Sequence, residues 1–443
     1  MSQFFLRLEF KKPVEMEVMK MKKTKKVHSR GSVAKTIAIV ATLDTKPAEV
    51  LYVRDFIEAR GHKVLMIDAG IRGDAPFQPS VTRNEVAAAA DTSIEAVRKI
   101  PNEGPAMFVM AEGASRIVRG LYDRRQINAV LGVGGSMGTS LGLAVMRGLP
   151  VGLPKLMVST IAFSGLITPN AVAKDQMMLQ LPVDLWGINA INKHSLDAAA
   201  AAICAMAETA SEIIPEKPLV AVTTRGILYY LNWIKPMLEA RGYEVVVIHA
   251  MGILGGGTLE DLIRQKLFTA VLDLCSCEVI EELFGGAARA GASRLEAAGD
   301  MGTPQIVAPG CMEFFHWTGP AETAPKDRKV HVHNPLVIGI KATTQEMIQA
   351  AETIAQKLNR AKGPVKILFP LLGWDLHDQP DHVFYDPEGR ARFLDVLKRN
   401  LDPHVELLEL NVHINDQVFA EKVIELFDEM MGQGKFKASG TKS

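Results

Sequence analysis

GVGGSMGTS (Gly132–Ser140) follows an apolar run and opens an apolar-periodic one. Gly132, Gly134 and Gly138 form a loose G-x-G-x-x-x-G. Glycines let a backbone approach a ligand closely, and the free amides that begin a helix attract anions. Gly134, Gly135, Ser136 and Thr139 are therefore candidate phosphate contacts at the start of a helix read as Ser140–Arg147; a tight structural turn is the competing reading. A P-loop is excluded, because no Gly-Lys-Ser/Thr follows. The acid of a dinucleotide fold is also missing at the end of the next strand, where Ser159 and Thr160 stand instead. Those two hydroxyls join the candidate set.

The missing cation has a source elsewhere. In LDTK, Lys46 is placed to pair with phosphate oxygens, and Asp44 to hold a hydroxyl or a magnesium ion. Thr42 and Thr45 flank them, and Asp68 and Gly70 end the next strand. Alternatively, Asp44 and Thr45 simply cap the helix that Pro47 opens. A second glycine turn, GILGGGTLEDLI (Gly252–Ile263), supplies Gly255, Gly256, Gly257 and Thr258 as a further candidate set. Thr258 is read there as an N-cap, with Asp261 three residues on. The turn is either a structural loop or a second anion site, and both turns could line one cleft.

These residues must be positioned by strands and helices, and the chain describes the same arrangement twice. TIAIVAT (Thr36–Thr42) is β-branched and continuously apolar, as a buried parallel strand is. An amphipathic helix and VLMI (Val64–Ile67) complete a βαβ unit. EARGHKVLMIDAG (Glu58–Gly70) is answered by EARGYEVVVIHAMG (Glu239–Gly252), and INAVLGVGGS (Ile127–Ser136) by FTAVLDLCSC (Phe268–Cys277). The fold is therefore α/β: two Rossmann-like, doubly wound subdomains related by internal duplication. The boundaries are 1–35 for a basic solvated tail, 36–212 and 213–431 for the subdomains, and 432–443 for a second tail. KILFPLLG, VELLELNVHIND and a closing helix complete the second sheet. Ligands of such sheets bind beyond the carboxyl ends of the strands. Ala111-Glu112-Gly113 is placed at one such end, and Cys275-Ser276-Cys277 and Pro309-Gly310-Cys311 at others.

Lys+Arg and Asp+Glu both number 50, so no global field draws the chain to nucleic acid or to a membrane. The first 35 residues nonetheless carry ten Lys/Arg and three Glu. No run approaches the roughly 18 apolar residues of a membrane helix. Four cysteines in 443 residues point to a reducing, cytoplasmic setting. HVHN, DLHDQPDH and HIND contain ligand residue types without a zinc spacing, so no metal centre is assigned. Cys275 and Cys277 are read as ordinary buried thiols, with a reactive thiol as the alternative.

IAIVATLDTKPAEVLYVRDFIEARGHKVLMIDAG, GVGGSMGTSLGLAVMRGLPVGLPKLMVST, GGGTLEDLI, VHNP, FYDPEG and HIND resemble, in order, the Tm-one-like ATP-binding domain family, named after the tomato mosaic virus resistance protein. The resemblance covers residues 36–430. It implies ATP as the ligand, with magnesium, and homodimers. The plant member carries a further TIM-barrel-like domain, so a separate TIM-barrel protein is an implied partner. The family commonly has a Thr-rich turn where this chain has Cys275-Ser276-Cys277. Three functions compete: ATP-dependent chemistry on a small acid, an ATP-responsive interaction module, and an NAD-linked oxidoreductase like the iron-dependent alcohol dehydrogenases. Against the last, Thr139 stands where that family's GGS-x-x-Asp has its aspartate.

Overall fold

The computed structural model describes residues 33–432; the two terminal tails read from the sequence lie almost wholly outside them. In the first half, strands β1 (Thr36–Ala41), β2 (Lys63–Asp68), β3 (Ala129–Gly134), β4 (Lys155–Ser159) and β5 (Met177–Gln180) form one sheet. Its order is β2-β1-β3-β4-β5, parallel throughout. Alternation along a strand sends successive side chains to opposite faces. Accordingly, Ala38, Val40 and Val130 face one apolar layer with the helices Glu103–Asp123 and Ser136–Arg147. Ile37, Ile39, Leu131 and Val158 face the other, against the helices Pro47–Ala59 and Ala190–Thr209. Burial on both faces is why these strands read as unbroken apolar runs.

The second half contains β6 (Leu219–Thr224), β7 (Glu244–His249), β8 (Phe268–Asp273), β9 (Gln305–Val307), β10 (Phe314–His316), β11 (Val330–Asn334), β12 (Val337–Lys341), β13 (Val365–Pro370) and β14 (Val405–Leu410). Six of these form a parallel sheet in the order β14-β13-β9-β8-β6-β7. The C-terminal strands and the helix Gln417–Met430 thus complete the second sheet, as the sequence predicts. β10, β12 and β11 form a small antiparallel sheet that the sequence did not reveal. The segment after the helix Ala190–Thr209 has no regular structure until Leu219 and joins the halves. Lys174 Nζ bridges them too, 2.7 Å from Asp261 Oδ2.

Three expectations need correction. Ala111, Glu112 and Gly113 do not end a strand; they lie inside the helix Glu103–Asp123. Its buried residues Met107, Met110, Ala114 and Val118 recur at helical spacing, and this periodicity overrides the short apolar run MFVMA. The helix expected to begin at Ser140 begins at Ser136, because the Thr139 amide already donates to Gly135 O at 2.8 Å. Thr258 is not an N-cap. Its helix starts at Gly256, and its hydroxyl donates to Leu254 O inside the first turn.

Candidate functional site

Three strand ends of the first sheet meet at one pocket. Beyond β1 the chain turns sharply: Thr42 O accepts the amides of Thr45 (3.2 Å) and Lys46 (3.0 Å), and the Thr42 and Thr45 hydroxyls lie 2.8 Å apart. Pro47 then starts the helix without a side-chain cap, so neither Asp44 nor Thr45 caps it. The Asp44 carboxylate turns instead to the segment after β2, where Oδ2 accepts the amides of Arg72 (2.8 Å) and Gly73 (3.3 Å). Its side chain is 2% exposed, and Oδ1 is buried with no hydrogen-bond partner. Gly70 makes this fit possible. A Cβ there would stand 2.6 Å from the Asp44 carboxyl.

Asp68 anchors the arrangement from below. Its Oδ1 accepts the amides of Leu43 (3.1 Å) and Gly70 (3.0 Å), and its Oδ2 accepts from Arg83 Nε (2.9 Å) and Nη2 (2.6 Å). Arg83 Nη1 has no hydrogen-bond partner and lies 4.0 Å from Asp44 Oδ2 and 3.9 Å from Asp74 Oδ1. Both charges of the Asp68–Arg83 pair are buried and multiply bonded, the condition under which a buried pair is tolerated.

The third strand end is GVGGS. Gly134 packs on the following helix so closely that a Cβ would fall 2.5 Å from Gly138 Cα. No side chain caps the helix, so the amides of Ser136, Met137 and Gly138 have no partner within it. Thr139 is buried and turned inward: its Oγ1 lies 2.7 Å from Ser159 Oγ and donates to Gly134 O at 3.4 Å. Ser159 Oγ also accepts the Ile161 amide. These two hydroxyls lock the helix to β4. Thr160 Oγ1 would lie 3.9 Å from a Cβ on Gly135, just behind the loop.

The pocket has a volume of about 440 Å³ and is lined by Thr42, Asp44, Thr45, Lys46, Gly135, Ser136 and Gly138. That size suits a small-molecule site. LDTK and GGS therefore meet, whereas Asp68, Gly70, Gly134, Thr139, Ser159 and Thr160 support the lining from behind. Lys46 Nζ donates to Leu185 O at the rim, 5.5 Å from the Trp186 ring centroid. Ile71, Arg72, Glu103, Met107, Met137 and Trp186 complete the wall, and sequence reading missed them. Arg72 was within reach, two residues past the strand-end glycine. Trp186 sits in irregular chain with no periodicity to mark it.

The second glycine turn is not an open anion site. An internal carboxylate fills it: Glu278 Oε1 accepts the amides of Gly252 (2.6 Å) and Gly256 (2.9 Å). Arg294 Nε donates to Glu278 Oε2 at 2.6 Å, and Arg294 Nη2 to Asp273 Oδ1 at 2.8 Å. Burial pushes the Glu278 carboxyl up, against the pull of Arg294. A Cβ on Gly256 would fall 1.9 Å from Glu278 Oε2, while one on Gly257 would meet Ile253 at 2.8 Å and one on Gly255 would fall 1.9 Å from His249 O. The glycines here admit protein, not ligand.

The thiols of Cys275 and Cys277 lie 3.5 Å apart, fully buried beside Arg225. Burial pushes these thiols and that of Cys311 up, which favours the protonated thiol over the nucleophilic thiolate. Among the described residues, no group of three or more His, Cys, Asp or Glu could hold a metal ion. Among the same residues, no helix is long and apolar enough to cross a membrane.

Family models of the uncharacterised protein family UPF0261 match both halves, the N-terminal domain over residues 35–212 and the C-terminal domain over 217–431. The chain belongs to UPF0261. A UPF0261 protein of Clostridium tetani (strain Massachusetts / E88) is 40% identical over 407 residues, covering 90% of this chain and 99% of that one. One from Brucella suis biovar 1 (strain 1330) is 36% identical, covering 90% and 96%. The ToMV resistance protein Tm-1(GCR237) of Solanum lycopersicum is 34% identical over 340 residues, covering 74% of this chain and 45% of the tomato protein. The family resemblance read from the ordered motifs is thereby borne out.

Proposed function

We propose that this UPF0261 protein binds ATP with magnesium in the pocket between LDTK and GVGGS. One observation carries the reading: the uncapped helix at Ser136, Lys46 and Asp44, whose buried Oδ1 has no hydrogen-bond partner, all border one pocket. The amides of Ser136, Met137 and Gly138 suit phosphate oxygens, and the helix dipole favours them there. Lys46 adds a charge-assisted contact once its bond to Leu185 O is exchanged for a phosphate oxygen. Asp44 fits magnesium, which takes one or two carboxylates together with substrate phosphates. The metal would supply charge neutralisation between those phosphates. Thr139 serves by fixing the helix rather than by touching the ligand, since its hydroxyl is committed to Ser159.

Nothing in the site favours the NAD-linked alternative. The second half is a six-stranded parallel α/β sheet, not the helical metal-binding domain of iron-dependent alcohol dehydrogenases. Calorimetric titration with ATP and magnesium, beside NADH, tests the reading. ATP binding that depends on Lys46 and Asp44 supports it; binding of NADH alone removes it.

A further inference from the structure

Trp186 is the only one of the four tryptophans left bare. Trp374 is fully buried, Trp233 and Trp317 are half-buried, and the Trp186 residue is 87% exposed. A large aromatic ring held in water forgoes its hydrophobic gain, so its position needs a reason. It is not a loose side chain on a loose loop. On one side, the Leu185 side chain is buried, and its carbonyl accepts from Lys46 until a phosphate oxygen takes that ammonium. On the other, the Gly187 amide donates to the buried Glu49 Oε1 at 2.8 Å, and its carbonyl accepts from Asn192 Nδ2 at 2.7 Å. Gly187 holds φ +71°, a conformation that favours glycine. The turn is thus strapped to the first turns of two helices, Pro47–Ala59 and Ala190–Thr209, and displays the indole on the wall of the phosphate pocket.

Resting on the nucleotide reading above, we propose that Trp186 is the stacking platform for the base of the bound nucleotide. Every base offers a π-face, so an indole accepts bases by stacking without hydrogen-bond readout. The same pocket wall carries the apolar Ile71, Met107 and Met137, which suit a flat ring, beside the charged Asp44, Lys46, Arg72 and Glu103. Lys46 Nζ lies 5.5 Å from the indole centroid, so one nucleotide can touch both the ring and the ammonium.

The test compares ATP with inorganic triphosphate, both with magnesium, on the full chain. Stacking on one base corresponds to a loss of about fivefold to a hundredfold in affinity when the ring is removed. Trp186→Ala is expected to weaken ATP by that factor, leave triphosphate unchanged and abolish ATP quenching of indole fluorescence. Trp186→Phe is expected to restore most of the ATP affinity. Equal losses for both ligands would show that the ring acts only through Lys46 and would overturn the proposal, as would unchanged ATP affinity in Trp186→Ala. In both cases the nucleotide reading stands. If the unmodified protein binds neither ligand, that reading falls and this one with it. Matching melting curves for the variants confirm that an exposed ring was removed without unfolding.

Discussion

Glu278 Oε1 accepts the amide of Gly256 at 2.9 Å, so a carboxylate of the protein itself fills the second glycine turn. The two glycine turns are therefore built differently. One holds the chain's own Glu278 carboxylate by hydrogen bonds, and the other opens its helix at Ser136 with no side-chain cap. Glu278→Ala would strip the turn and leave Arg294 short of a partner inside the core. Removing one member of a buried pair costs about 3–5 kcal/mol. Urea unfolding is expected to show a loss of that order, and a loss under about 1 kcal/mol would reassign Glu278 as a bystander.

Lys46→Ala is expected to weaken ATP by about 1.5–3 kcal/mol, the range of a charge-assisted hydrogen bond. Equilibrium titration measures it directly. Unchanged affinity would remove Lys46 from the phosphate site.

Gly70→Ala tests the seat of Asp44 without touching its chemistry. The added Cβ would meet the carboxyl at 2.6 Å, and the amides of Arg72 and Gly73 hold that carboxyl from the other side. Magnesium-dependent ATP affinity is expected to fall about tenfold, near 1.4 kcal/mol, with the circular dichroism spectrum intact. Retained affinity would detach Asp44 from the metal.

His413 makes stability pH-dependent. Its Nε2–H donates to Asp375 O at 3.0 Å, and its Nδ1 accepts the Asn415 amide at 3.0 Å. Burial holds its pKa below the ordinary 6.5, although Asp375 and Asp416 pull the other way. The unfolded chain therefore binds the extra proton first. This contribution is complete above pH 6.5 and is lost as pH falls from there toward the lowered folded value. The limiting slope for one such group is about 1.4 kcal/mol per pH unit. His249 and His377 shift in the same direction and add to it. Denaturant midpoints at pH 7.5 and 5.5 should converge in His413→Gln relative to the unmodified protein. An unchanged difference would rule His413 out as a contributor.

All four cysteines are fully buried and free. A thiol reagent such as an aromatic disulfide is expected to label none of them quickly in the native protein and all four in denaturant. Rapid labelling of Cys275 or Cys277 in the native state would reopen the reactive-thiol reading.

The sequence disclosed most of the scaffold, because buried parallel strands are long apolar runs and the duplication supplied each half with a second witness. LDTK and GVGGS could be brought together on the page, since both lie at strand ends of one half. Trp186 could not: it is a lone aromatic whose significance comes from straps at Glu49 and Asn192. Glu278 could not either. A glycine turn filled by a carboxylate more than twenty residues away looks, in one dimension, the same as an open one. The helix at Ala111 was misread because five apolar residues in a row suit a strand and a helix equally.

The Thr139–Ser159 contact has a consequence in time as well as in space. It fastens the helix end to β4 before any anion arrives. On the proposed reading the phosphate meets a helix end that is already fixed, and its capture is expected to be a one-step encounter. Its observed rate should climb in proportion to ligand concentration, with no plateau to betray a slow rearrangement.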